Sequence, residues 1–121
     1  MQLEVKKHLE DIRLAAEKIL RFSKGIDRAA FLKNELLQSG VERQFEIIGE
    51  AVNRLTRTDP SIAEQLPDRR RVVSFRNILA HGYDIVDPNV VWDVVEDGLP
   101  NLLSVVRRLL AIQENLWRDS V

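Results

Sequence analysis

The sequence predicts an all-α fold, an up-and-down bundle of four to five helices forming one domain over residues 1–121. Three observations predict it. Apolar residues recur at alternating steps of three and four along most of the chain, the period of a single helix face. Glycine, proline and aspartate stand where those stripes end. Strand signals are weak: Val72-Val73 and Val90-Val91 are short β-branched pairs, and both lie inside helical patterns.

Val5, Leu9, Ile12, Ala16 and Ile19 form the first stripe, on a helix expected from about Gln2 to Ser23. Lys24-Gly25 ends it, since glycine takes the left-handed conformation after a helix at no steric cost. Asp27 is an N-cap for a second helix over about Arg28 to Ser39. Gly40 either interrupts or bends the path, and that choice makes the count four or five. The third stripe is Val41, Phe45, Ile48, Val52 and Leu55, with Gly49 beside it where another helix can approach closely. Thr58-Asp59-Pro60 closes it, because a residue before proline is pushed out of helical geometry. After a short turn around Ser61 to Gln65, Pro67 opens a helix carrying Val72, Val73, Phe75, Ile78 and Leu79, which ends near His81-Gly82. Asp87-Pro88 starts the last helix, with Val91, Val94, Val95, Leu102, Val106, Leu109 and Leu110 on its apolar face. Pro100 falls inside that run and predicts a kink.

Composition narrows the functional classes. At 121 residues and 45 % hydrophobic, the chain has the material for one packed core. No apolar run approaches the roughly 18 residues of a membrane span. The N-terminus runs straight into a charged helical pattern rather than a signal peptide. Cysteine is absent, which excludes disulfides and thiolate metal sites, and a cytoplasmic location is the expectation. The net charge is −1, so a phosphate-binding surface has to come from local clustering. Arg69-Arg70-Arg71 is the clearest cluster, and on charge alone it reads equally as a solvated face or as a phosphate-facing patch.

The chemistry-bearing segment is Arg76-Asn77-Ile78-Leu79-Ala80-His81-Gly82-Tyr83. On a helix, Asn77 and His81 are i and i+4 and share a face, while Arg76 and His81 lie about 140° apart. Histidine near its ordinary pKa accepts or donates a proton at neutral pH, and a helix C-terminus favours its charged form. Arginine adds a fixed charge whose planar fork fits phosphate oxygens. Together they suffice for one reaction without metal or cofactor: a base takes the proton of an RNA 2′-hydroxyl, the oxygen attacks phosphorus, and a cation stabilises the transition state. By itself an Arg-x4-His pair is weak evidence, because a histidine at a helix end is commonly a cap. Glu46 and Glu50, at i and i+4, read as solvated or ion-paired, with a partnership to Arg76 as the functional alternative. Trp92 and Trp117 read as packing or dimer residues, and His8 as a surface residue.

The segment from Arg76 to Tyr83 resembles the Arg-x4-6-His motif of the HEPN superfamily. In its Arg-x4-His-x-Tyr form it is similar to the HepT toxins of MntA–HepT (type VII) toxin–antitoxin systems. Glu42 to Ala51, with its Ile-Gly-Glu-Ala run, resembles that family's second-helix block, and Val91-Trp92-Asp93 with Leu99-Pro100 its C-terminal helix. The resemblance implies a HEPN-type bundle that forms a homodimer, whose two Arg-His motifs line a cleft that cuts RNA. It implies that Arg76 binds phosphate, that His81 is the acid/base and that Asn77 orients the site. It also implies that Tyr83 accepts AMP from an MntA-like nucleotidyltransferase antitoxin, which silences the toxin. Gly82, where bulkier residues are usual, and the basic Arg69-Arg70-Arg71 run depart from commoner relatives. The competing readings are a non-catalytic HEPN module that binds nucleotide or protein, and a purely structural dimerisation bundle.

Overall fold

The computed structural model of the chain describes residues 2–81 and 86–119, leaving aside the side chains of Gln2, Ala80, His81, Trp117 and Asp119. Every described element is helical: α1 (Gln2–Ser23), α2 (Arg28–Leu32), α3 (Glu35–Thr58), α4 (Pro60–Ala63), α5 (Arg69–His81), α6 (Pro88–Asp93) and α7 (Leu99–Asp119), with a π turn at Val94–Gly98 joining the last two. No helix among the described residues is long and apolar enough to cross a membrane.

Most expected boundaries hold. Gly25 adopts φ +75° after α1. The carboxylates of Asp27, Asp59 and Asp87 accept the backbone N–H of Ala30, Ile62 and Asn89, each satisfying a donor that a helix start leaves unpaired. The expected second helix is shorter than its periodicity implied. It stops at Leu32, and Asn34 caps a new helix by accepting from Leu37 N–H, so Gly40 lies inside α3 and breaks nothing. Two polar residues that can cap, Lys33-Asn34, turn the chain before the glycine is reached. Likewise Pro67 precedes α5 by two residues: Asp68 takes φ +56°, and α5 begins at Arg69. Aspartate tolerates this left-handed conformation better than most residues. The irregularity expected at Pro100 is the π turn immediately before it. Widening that turn relieves the proline ring's clash with the preceding carbonyl and its missing donor.

Packing places α3 at the centre. It lies between α1 and α5, and α1 in turn packs on α7. The pairs are antiparallel: Phe22, near the end of α1, meets Gly40 near the start of α3, and Lys6 and Glu17 of α1 pair with Glu114 and Arg107 of α7. The α1 and α3 stripes are buried in full, as are the predicted apolar positions of α6 and α7. Trp92 packs on Phe31 of α2 with ring centroids 4.9 Å apart, which makes it a packing residue as expected. Trp117 has no described side chain. His8 is half-buried rather than a surface residue, with Nδ1 enclosed. Among the described side chains of α5, Val72 and Phe75 alone are buried, while Val73, Ile78 and Leu79 are half-exposed, because α5 rests on α3 along one edge.

That edge depends on Gly49. A Cβ at position 49 would run into the Cβ of Arg76, and it would stand 3.0 Å from the carbonyl oxygen of Val72. Neither obstacle can rotate aside. At Gly40 a Cβ would meet only Phe22 ring carbons at 3.7 Å, ordinary contact on a half-exposed ring. Two Gly→Ala changes in one helix therefore have opposite expected signs. Gly40→Ala should stabilise by about 0.5–1 kcal/mol through reduced chain entropy. Gly49→Ala should destabilise by about 1–3 kcal/mol, because the helices must part. Thermal melts of the two variants check this, and equal shifts would show that α3 and α5 are not held at glycine distance.

Candidate active site at the seam of α3 and α5

Arg76 leaves α5 directly above Gly49, and its guanidinium is held on two sides. Nε and Nη2 donate to Glu50 Oε2 at 2.9 and 2.7 Å, and Nη1 donates to Asn77 Oδ1 at 3.3 Å. These contacts engage three of the five N–H donors and leave one on each Nη for a phosphate. The guanidinium side chain is 30 % exposed, so it is fixed and still reachable. The other carboxylate oxygen of Glu50 faces Arg54 Nε at 3.5 Å. Two guanidiniums on one carboxylate leave this cluster one positive charge in excess. Glu50 thus takes the role weighed for it from sequence, an ion-paired partner of Arg76. Glu46 pairs instead with Arg43 at 3.2 Å.

The two sides of the Arg76 ridge differ. On one side a pocket of about 240 Å³ lies between α1, α3 and α5, with Arg43, Arg54 and Arg76 facing Asp11, Glu46 and Glu50. Its three cations and three anions cancel. On the other side a groove of about 380 Å³ follows the seam, with Arg69, Arg70, Ser74 and Asn77 of α5 opposite Asn53 and Thr56 of α3.

The structure therefore gathers Arg76 and Asn77 into one site and lines Arg69 and Arg70 up along the same helix. Arg71 stands 4.0 Å from Asp68 and does not line the seam groove; with Arg69 and Arg70 it lines a separate pocket that also holds Glu64 and Asp68. His81 belongs to α5, one turn beyond Asn77, and the expected helix end near His81-Gly82 runs into residues 82–85, outside the described residues. Its side chain, together with Gly82 and Tyr83, lies outside the described residues. Sequence reasoning singled out neither Arg43 and Arg54 nor Asn53 and Thr56. Their signal was Gly49: taking it as the crossing point of two antiparallel helices sets which α3 residues oppose each turn of α5. No group of three potential metal-ligating side chains occurs among the described residues.

Comparison with known proteins agrees with this helical frame. The model of the HepT-like ribonuclease family matches residues 12–109. A relative from Methanocaldococcus jannaschii, provisionally named an RNase, is 35 % identical over 105 residues, covering 85 % of this chain and 94 % of its own. Another from Thermococcus cleftensis, provisionally named ribonuclease HepT, is 33 % identical over 109 residues, covering 90 % and 98 %. A third, from Caldanaerobacter subterraneus, is 29 % identical over 103 residues, covering 85 % and 91 %. No solved structure matches the chain significantly.

One carboxyl near the site titrates abnormally. Glu42, two helical turns before Glu50 on α3, is half-buried, and burial pushes its pKa above the usual carboxylate value. The native state therefore holds this proton to higher pH than the unfolded chain does, and stability falls as pH rises just above the ordinary glutamate range. Glu42→Gln should raise the melting temperature at neutral pH and flatten that decline. Parallel melts from pH 4 to 8 check this, and identical profiles for parent and variant would remove the burial effect.

Proposed function

The chain belongs to the HepT-like ribonuclease family, and from that premise we propose that it is a metal-independent RNA endonuclease, the toxin of a type VII toxin–antitoxin pair, acting in the cytoplasm. The observation that carries this reading is the clamped guanidinium of Arg76, with a donor left on each Nη, on the helix that carries His81.

In the proposed reaction the phosphate next to the scissile bond docks on the remaining Nη donors of Arg76. Glu50 and Asn77 hold that fork in place, so little orientational freedom is lost when the phosphate arrives. His81 takes the proton from the 2′-hydroxyl, and the freed oxygen attacks phosphorus. Arg76 meets the charge that builds on the phosphoryl oxygens. The 5′-oxygen leaves with a proton, and the product carries a 2′,3′-cyclic phosphate. One chain offers one such histidine for both proton removal and leaving-group protonation. A homodimer that turns two motifs into one cleft supplies the second, and a dimer by light scattering at micromolar concentration is the expected result.

Silencing follows from charge. Transfer of AMP to the Tyr83 hydroxyl by an MntA-like nucleotidyltransferase puts an anionic phosphate beside Arg76 and His81, where it repels RNA and occupies the cleft. Tyr83→Phe should keep toxicity and lose silencing by the antitoxin, read as growth arrest that co-expression no longer relieves. Survival of the co-expressing strain would place silencing elsewhere.

Cleavage should persist in excess chelator and leave a cyclic-phosphate end. Loss in chelator with rescue by magnesium would overturn the mechanism. Arg76→Ala and His81→Ala should each lower cleavage by at least about a hundredfold, the scale of a lost acid–base or charge-stabilising group. Alanine keeps the Cβ that packs on Gly49, so Arg76→Ala should melt close to the parent. Activity lost only in proportion to the unfolded fraction would make these residues structural. Folded variants with undiminished cleavage would favour a non-catalytic HEPN module.

A further inference from the structure

We propose that the groove along the α3–α5 seam holds the backbone of single-stranded RNA beside the scissile bond, with Arg69 and Arg70 gripping a flanking phosphate. The assignment rests on the ribonuclease reading and adds where the strand lies.

Charge separates the two sides of Arg76. The pocket toward α1 already pairs its arginines with Asp11, Glu46 and Glu50 on its walls, so a polyanion entering it would meet three carboxylates. The seam groove contains no carboxylate: its polar lining is Arg69, Arg70, Asn53, Thr56, Ser74 and Asn77. Among the described residues neither Arg69 nor Arg70 has a carboxylate within ion-pair distance, although Glu64 and Asp68 line a neighbouring pocket with them, whereas Arg13, Arg28, Arg43, Arg54, Arg71, Arg76 and Arg107 do. Both are therefore available to phosphate without first breaking a salt bridge. Their neighbours fit the same ligand. Asn77 gives its Oδ1 to Arg76, which leaves its amide donors for the groove, and Ser74 is exposed on the next turn back.

Spacing argues for a flanking phosphate rather than the scissile one. Arg70, Ser74, Asn77 and His81 follow one another at steps of four, three and four, the repeat of a single helix face. Arg70 and Asn77 are seven residues apart, about 10 Å along the axis. A phosphate on the Arg76 fork cannot also sit on Arg69 and Arg70, so these meet a different nucleotide. The groove, about 380 Å³ between two packed helices, has room for the backbone of one strand. Contacts of this kind position the chain and carry no base information, so the expected preference is for strandedness rather than sequence.

The test uses the full chain and a fluorescent single-stranded RNA bearing 2′-O-methyl groups throughout, which binds but lacks the nucleophile. Anisotropy titrations over a salt series compare the parent with Arg69→Gln/Arg70→Gln, with Ser74→Glu, and with Arg108→Gln on exposed α7 surface as a control. Single-strand binding loses about 0.7 in salt slope per phosphate contact, so the double variant, which gives up one phosphate, should lower the slope by about 0.7. Its Kd at low salt should rise about tenfold or more. Ser74→Glu, which sets a carboxylate inside the groove, should weaken binding in the same direction, and it stands if the double variant misfolds. Arg108→Gln should match the parent. Parent-like affinity and slope in both groove variants, in a protein that still cleaves RNA, would overturn the groove and leave the ribonuclease intact. A parent that neither binds nor cleaves RNA would sink both. Duplex RNA bound as tightly as the single strand would overturn the assignment of strandedness.

Discussion

The contact between α3 and α5 at Gly49 governs the rest of the site. Hydrogen at position 49 allows the Cβ of Arg76 to sit against the α3 backbone, so the guanidinium emerges at the level of Glu50, the next residue on α3. A larger residue would push α5 outward and carry Arg76 off its partner. Stability and site geometry thus share one atom's width. Dense packing transmits such a displacement rather than absorbing it.

From that contact follows the division of charge along the seam. Glu50 binds Arg76 on one edge and Arg54 on another oxygen, so the side toward α1 is internally compensated. Asn77 is neutral, and the positions before it on the same face are Ser74 and Arg70, so the opposite side is basic and open. A chain with net charge −1 can in this way present a local surface for a polyanion. The ion pair of Arg76 serves orientation more than stability, since both partners are about one-third exposed and exposed pairs contribute little.

The C-terminal part braces this arrangement from below. Asp68, in its left-handed conformation just before α5, sets its carboxylate over Gly98 in the π turn. The start of α5, where Arg69 and Arg70 stand, is thereby seated on the joint between α6 and α7. On the far side, Arg28 of α2 reaches Asp93 at 2.5 Å, and Phe31 packs on Trp92, which ties the short helices to the same joint. Pro100 and the π turn before it form a shaped support rather than a flaw in a long helix.

Periodicity and local capping signals determined the helical class, the buried stripes of α1, α3 and the last helix, and the caps at Asp27 and Asp87, because these depend on neighbours within one turn. The motif around Arg76 and His81 was likewise legible, being a matter of side-chain chemistry at a fixed spacing. Boundaries set by competing local signals were not: Asn34, not Gly40, restarts the chain, and Asp68 intervenes between Pro67 and α5. Only the tertiary structure decided that Glu50 rather than Glu46 holds Arg76, and that Arg43 and Arg54 stand on one side of it and Asn53 and Thr56 on the other. Those facts depend on how two antiparallel helices register at Gly49. A pattern within either helix is unchanged when its neighbour slides by a turn, so the register is written in the contact between them and in neither sequence stripe alone.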